Sequence, residues 1–354
     1  MEFDYVVVGA GFAGAVSAEQ IASRMGRRVL VIDRRDHVGG NAWDHLDRHG
    51  ILVHRYGPHI FHTAHERVWS YLSRFTAWRP YEHHVLARIR GVAVPLPFNL
   101  TSLRALFPPR DASAIERKLL AAFADFVYHE VFAGYSRKQW GLAIEELDAN
   151  VSSRVPVVVG EDDRYFIDTH QAMPQQGYGA LFRRMLDNPL IVVRLSTEWR
   201  SVRDSLREAR IIFTGMIDEY FDQRYGALGY RSLQFRQENH PVTSYQEVAT
   251  VNYPGKEEYT RITEFTKLTD QRVSSTTIAV EYPRPRERAT DEAYYPIPSE
   301  DNRLLHARYA EDARKLPGVN FVGRLGQYRY LNMDDTVKEA LEVVDRLAAS
   351  GSDW

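Results

Sequence analysis

The sequence predicts an α/β fold: a discontinuous parallel-sheet domain interrupted by a helical domain and an antiparallel β-sheet domain. Three observations predict it. The chain opens with an apolar run, a glycine-rich turn and a helix-forming stretch. Residues from about 232 to 282 alternate β-branched or aromatic side chains with polar ones. An apolar run at 319–322, with an amphipathic stretch from Met333 after it, returns to the style of the opening.

Residues 3–8 form a short apolar run of the kind a strand shows when both its faces are buried. Gly9-Ala10-Gly11-Phe12-Ala13-Gly14 follows, residues 15–25 favour helix, and a second apolar run over 28–32 ends at Asp33. In such a β-α-β unit one glycine permits the tight turn, one lets backbone approach a pyrophosphate, and one lets helix and strand pack closely. The helix start aims free N–H groups at phosphate. Asp33, nineteen residues after Gly14, is spaced to accept hydrogen bonds from a ribose. This is a Rossmann-like dinucleotide site involving Gly9, Gly11, Ala13, Gly14 and Asp33.

Farther on, helix-like stretches such as 112–128 are broken by Pro95, Pro97, Pro108 and Pro109. Residues 190–195 and 211–214 read as short buried strands. Thr250-Val251-Asn252-Tyr253 and the run from Thr276 to Val280 read as half-buried antiparallel strands. The last helix has Val337, Leu341, Val344 and Leu347 on its apolar face. No internal repeat or low-complexity tract is present. The expected division is 1–75, 186–228 and 301–354 for the dinucleotide domain, 76–185 for a mainly helical substrate domain, and 229–300 for the antiparallel sheet.

At 354 residues, with 44% hydrophobic and 26% charged side chains, the chain suits a soluble globular protein. A net charge of -2, with arginines interleaved among acids, argues against a nucleic-acid partner. The absence of cysteine excludes disulfides, thiolate metal ligands and a cysteine nucleophile. With neither a leader nor a membrane-length apolar run, a cytoplasmic protein is expected.

FAD is favoured over NAD. Arg34-Arg35-Asp36-His37-Val38-Gly39-Gly40-Asn41 continues from Asp33 as in flavoproteins of the amine-oxidase and mutase type. Phe321-Val322-Gly323-Arg324 precedes a late helix whose positive end would favour negative charge on a reduced isoalloxazine.

Tyr56-Gly57-Pro58-His59-Ile60-Phe61-His62-Thr63 resembles the YGxHIFHT segment of the bacterial UDP-galactopyranose mutase family. Further matches follow in order: Leu96-Pro97-Phe98-Asn99, Gly134-Tyr135-Ser136-Arg137-Lys138-Gln139-Trp140-Gly141, Gly177-Tyr178, Tyr230-Arg231-Ser232-Leu233, Tyr259-Thr260-Arg261-Ile262, Tyr294-Tyr295-Pro296 and Gly323-Arg324. The resemblance implies an isomerase, homodimeric by analogy, that interconverts pyranose and furanose forms of a nucleotide sugar, UDP-galactose first. It also implies reduced FAD used without net redox change, its N5 attacking the anomeric carbon and expelling the diphosphate. His59, Arg261 and Arg324 are the expected catalytic residues. Around FAD the family pattern adds Arg34, Gly40, Asn41, His59, Ile60, His62, Arg231, Arg324, Asn332, Met333 and Thr336. On the substrate it places Tyr135, Ser136, Gln139, Trp140, Tyr178, Asn252, Arg261, Tyr295 and Tyr330.

Two positions depart from the family pattern. Thr169 stands where these mutases carry a loop arginine after a Tyr-Phe pair, here Tyr165-Phe166, with Arg164 or His170 as substitutes. His83 stands where asparagine is expected. Both lie on the substrate side, which leaves a deoxysugar or thymidine nucleotide such as dTDP-fucopyranose open. An amine-oxidase-like oxidoreductase would share the FAD motifs but lack the Lys138–Gly141 and Tyr259–Ile262 segments. His59, His62 and His65 are spaced H-x-x-H-x-x-H, yet packing against a cofactor is the expectation and no metal is expected.

Overall fold

A computed structural model describes residues 2–107, 133–141, 160–206, 208–288 and 290–350. A five-stranded parallel sheet runs in the order Ile191–Arg194, Val29–Ile32, Tyr5–Val8, Arg210–Phe213, Val319–Phe321. Tyr5–Val8 pairs with Val29–Ile32 on one side and Arg210–Phe213 on the other. Both Tyr5–Val8 and Val29–Ile32 are buried along their whole length, which is why they are apolar at every position. The sheet thus draws strands from three separated parts of the chain.

The helix Phe12–Met25 follows the first strand, and its residues from Phe12 to Ala22 are all buried. Alanine, glycine and serine let it lie close to the sheet and to the last helix, Met333–Ala349. That helix buries Val337, Ala340, Leu341, Val343 and Val344, with Leu347 packed partly against the same core.

The second sheet has seven strands, ordered Tyr295–Pro296, Tyr230–His240, Thr276–Pro285, Arg261–Glu264, Thr250–Asn252, Val85–Ile89, Val92–Leu96. Its last two strands correct the expectation that a mainly helical domain begins at 76. Ile89 pairs with Val92 across a two-residue turn in which Arg90 and Gly91 have φ of 50° and 83°. That geometry follows the twist of a hairpin. Burial alternates along this strand, with Val85, Ala87 and Ile89 on the buried face. The expected helix at 112–128 lies outside the described residues.

A three-stranded sheet sets His170–Pro174 between Phe61–Thr63 and Trp78–Pro80. It lays the segment carrying Thr169 alongside His62. The helix Ala133–Trp140 is tied to the seven-stranded sheet by Lys138, whose Nζ donates to the carbonyls of Tyr253 and Tyr259 at 2.6 and 3.1 Å. Among the described residues no helix is long and apolar enough to cross a membrane.

Leu341 is 2% exposed and Leu304 54% exposed. Leu341→Ala should cost about 2–5 kcal/mol of stability, whereas Leu304→Ala should stay within about 0.5 kcal/mol. Urea unfolding of the two variants checks the pair.

Candidate functional site

The turn after the first strand opens into a cleft lined there by Gly9, Gly11, Phe12 and Ala13. Gly9 has φ +104°, and a β-carbon on Gly40 would stand 2.9 Å from the Cα of Gly11. Two backbones therefore cross where side chains would fill the cradle. The first helix starts at Gly11 with no side-chain cap, so its N–H groups remain for a ligand. Asp33 Oδ2 accepts from the Ala10 N–H at 2.7 Å and Oδ1 from the Arg35 N–H at 2.9 Å. This holds the carboxylate at the cleft wall. Asn332, Met333 and Thr336 line the same cleft where the last helix begins, again without a side-chain cap.

Gly9, Gly11, Ala13, Asp33, Arg34, Gly40, Asn41, His59, Arg324, Asn332, Met333 and Thr336 all line this one cleft. A Gly-rich cradle, two uncapped helix starts and a fixed carboxylate fit a dinucleotide with anionic centres. Four expected cofactor residues lie elsewhere. Gly14 serves packing, because a β-carbon there would stand 1.8 Å from the Gly9 oxygen. The Ile60 side chain belongs to the core. His62 stacks on Phe166 at 3.6 Å and pairs through Nδ1 with Asp168 at 2.8 Å, which turns it to the segment before Thr169. Arg231 caps a helix, as described below.

Glu292 and Glu281 were missed in the sequence. Glu292 pairs with Arg34 and Arg35 at 2.6 and 2.7 Å and closes the outer wall of the cleft. Burial works to raise its carboxyl, but the hydrogen bond and charge of Arg35, then Arg34, outweigh that and hold it below the usual range. No sequence signal marked it. Glu281 is 4% exposed, accepts from Thr260 Oγ1 at 2.8 Å and lies 3.8 Å from Arg261 Nη1. Its signal was an acid inside an otherwise buried strand.

Beyond the cleft, several expected substrate residues come together. Arg261 Nε donates to Asn252 Oδ1 at 3.0 Å. Tyr295 stacks on Tyr330 at 5.7 Å and meets the edge of Trp140 at 5.9 Å. Arg324 lies over both tyrosine rings, at 5.2 and 4.9 Å, and donates to the carbonyls of Tyr294 and Leu331. Burial and then Tyr330 push the Tyr295 phenol up, while Arg324 and Arg261 both pull it down, so the two cations converge on it. Ser136 and Gln139 are buried on the Trp140 helix, and Gln139 Oε1 has no partner among the described residues. Tyr135 lies on that helix, but its side chain is outside the described residues.

Tyr178 is a correction. It is fully buried, edge-on to Phe12 and His54, so a substrate does not reach it here. Asp44 accepts the N–H groups of Tyr178 and Gly179 and seats this helix start under the first helix. The proposed substitutes for a loop arginine are likewise committed elsewhere. Arg164 pairs with Asp162 and Glu82, and His170 pairs with Glu66 while stacking on Trp69. His83 is buried, shares a hydrogen bond with Tyr81 and lies beside Phe166, on the side of Thr169. The histidines of the H-x-x-H-x-x-H spacing have separate partners. Ligand atoms within 4.8 Å of one another belong instead to His65, Asp334 and Asp335. The two carboxylates there sit in the first turn of the last helix, where they complement its dipole.

His59 Nδ1 lies 2.9 Å from the Gly57 carbonyl, which can only accept, so Nδ1 carries the proton and Nε2 keeps its lone pair. The His59 N–H donates to His54 Nδ1 at 3.0 Å. Burial pushes His54 down to about 4. Burial, then His54, pushes His59 down to about 3. Burial, then Arg261, does the same to His83, also to about 3. All three folded values lie below the unfolded value of about 6.5, so below that pH the unfolded chain takes up protons that the folded chain refuses. Stability should be full above about pH 6.5 and decline as the pH falls toward the folded values. The urea midpoint should therefore drop between about pH 7.5 and pH 5, and drop less in His54→Gln. A midpoint that stays level in the parent protein would contradict the buried neutral rings.

The sequence pattern of the UDP-galactopyranose mutase family matches residues 130–330, and that of NAD(P)-binding Rossmann-like domains matches residues 7–75. The chain is 35% identical over 367 residues to a probable UDP-galactopyranose mutase of Klebsiella pneumoniae, covering 98% of this chain and 94% of that protein. It is 33% identical over 364 residues to a dTDP-fucopyranose mutase of Escherichia coli, covering 95% and 96%. Among solved structures it matches the crystal structure of reduced UDP-galactopyranose mutase with a TM-score of 0.75. That match covers 99% of this chain and 96% of the other at 15% identity, a likeness of fold. The chain belongs to the UDP-galactopyranose mutase family of isomerases.

Proposed function

We propose that this protein interconverts UDP-galactopyranose and UDP-galactofuranose with FAD bound in its reduced form. The observation that carries the reading is the meeting of Trp140, Tyr295, Tyr330 and Arg324, with Arg261 near Tyr295, while Arg324 and His59 also line the dinucleotide cleft. Gly9, Gly11 and Gly40 would admit the pyrophosphate of FAD, Asp33 its ribose, and the start of the last helix the pyrimidine edge of the flavin. When bound and reduced, the flavin supplies a nucleophilic ring nitrogen for the anomeric carbon.

The chain's own residues support that chemistry by charge and shape. Arg261, oriented by Asn252 and Glu281, brings a permanently charged fork to the negative charge that grows on a departing diphosphate. Trp140 and Tyr295 offer flat faces to a sugar. His59 stays neutral and presents only a hydrogen-bond acceptor at Nε2, so it adds no further cation beside Arg324. The proposal includes a cytoplasmic homodimer, which sedimentation would register at about twice the 40.8 kDa of one chain.

A second reading has an observation of its own. Thr169 and His83 depart from the family pattern, and Arg164 and His170 are each paired with acids rather than free to replace the loop arginine. This favours the same chemistry on a dTDP-deoxysugar such as dTDP-fucopyranose.

Dithionite-reduced protein, kept anaerobic, should convert UDP-galactofuranose to the pyranose by chromatography, while unreduced protein should not. Conversion of dTDP-fucofuranose alone would move the assignment to the second reading. Flavin bleaching by substrate with release of hydrogen peroxide would replace the isomerase with an oxidase. In the active protein, Arg261→Ala should lower turnover roughly 100- to 1,000-fold. Trp140→Ala should raise KM about tenfold or more with FAD retained, and flavin-free Trp140→Ala protein would instead make Trp140 structural.

A further inference from the structure

The C-terminal end of the helix Ala133–Trp140 is closed by a side chain from the antiparallel sheet. Arg231, 7% exposed near the start of the strand Tyr230–His240, donates from Nε to the Gln139 carbonyl at 2.7 Å. Its Nη2 donates to the Lys138 carbonyl at 3.3 Å. Carbonyls in a last helical turn lack intrahelical partners and carry the negative end of the dipole, so a buried guanidinium satisfies both needs at once. Gly141, at φ +70°, ends the helix, and a β-carbon on it would stand 3.2 Å from Arg231 Nη1. The strand pairs Arg231 directly with Tyr295, whose ring meets Trp140. One side chain therefore spans from the backbone beside Tyr295 to the backbone of the residue before Trp140.

Among the described residues no carboxylate pairs with Arg231, and its hydrogen bonds go to carbonyls. A neutral side chain of similar length would leave no acid stranded, and the fold should tolerate it.

We propose that Arg231 is a positioning residue that fixes Trp140 against Tyr295, and so governs how tightly the sugar is held, without contacting the cofactor. This rests on reading the two rings as the sugar site. It departs from the family-based expectation that Arg231 binds FAD.

The test uses FAD-loaded, reduced protein. Arg231→Met should raise KM for the nucleotide sugar roughly tenfold, leave kcat within about threefold, and keep flavin content unchanged. Adding Trp140→Ala to Arg231→Met should give no more loss than Trp140→Ala alone, since both act through one group. Gly141→Ala, which crowds the guanidinium, should reproduce the KM effect and serves if Arg231→Met fails to fold. A readout independent of turnover is iodide quenching of tryptophan fluorescence. Arg231→Met should increase it in the parent protein but not in a Trp140→Phe background. Unchanged KM and quenching, loss of flavin, or multiplicative losses in the double variant would each overturn the proposal. Parent protein inactive on both nucleotide sugars would sink the functional reading, while the quenching result would still decide whether Arg231 positions Trp140.

Discussion

Gly14 lies so close to the exit of the first strand that a β-carbon on it would stand 1.8 Å from the Gly9 carbonyl oxygen. This contact sets the first helix directly over the turn, and the rest of the cleft is built around the result. The helix starts there without a side-chain cap, beside the crossing of Gly11 and Gly40. Asp33 is drawn to the same turn by the Ala10 N–H. Because the first helix is lined with small residues, the last helix packs directly on it and brings Asn332, Met333 and Thr336 to the wall of the same cleft. Gly323 is part of the same close packing, since a β-carbon there would stand 2.9 Å from the Ala13 side chain.

Charge is distributed around this frame in two ways. Beside Asp33, Arg34 and Arg35 share Glu292, and Arg35 also lies over Tyr56 at 4.2 Å, so the wall there is held by paired charges. Around Trp140 and Tyr295, Arg231 and Arg324 hydrogen-bond to backbone carbonyls, and Arg261 has Glu281 at 3.8 Å. Carbonyl dipoles orient a guanidinium without neutralising it as a carboxylate would. The neighbouring histidines add no positive charge, because burial holds His54, His59 and His83 neutral.

The sequence by itself determined the α/β class, the positions of the parallel strands, the glycine cradle with Asp33, and the apolar face of the last helix. Each of these depends on residues close together in the chain: a turn needing glycine, an apolar run, a helical period. The hairpin Val85–Ile89 and Val92–Leu96 was equally local and was passed over among helix-like neighbours. What only the tertiary structure decided are the encounters between distant segments. Glu292 meets Arg34 and Arg35 across some 258 positions, Asp168 takes His62 away from the cofactor cleft, Asp44 seats Tyr178 in the core, and Arg231 caps the Trp140 helix. A motif states which side chains are present, but where a long side chain ends depends on which buried carbonyl or carboxylate lies within its reach. That partner is supplied by the packing of sheets and helices, which no local pattern encodes.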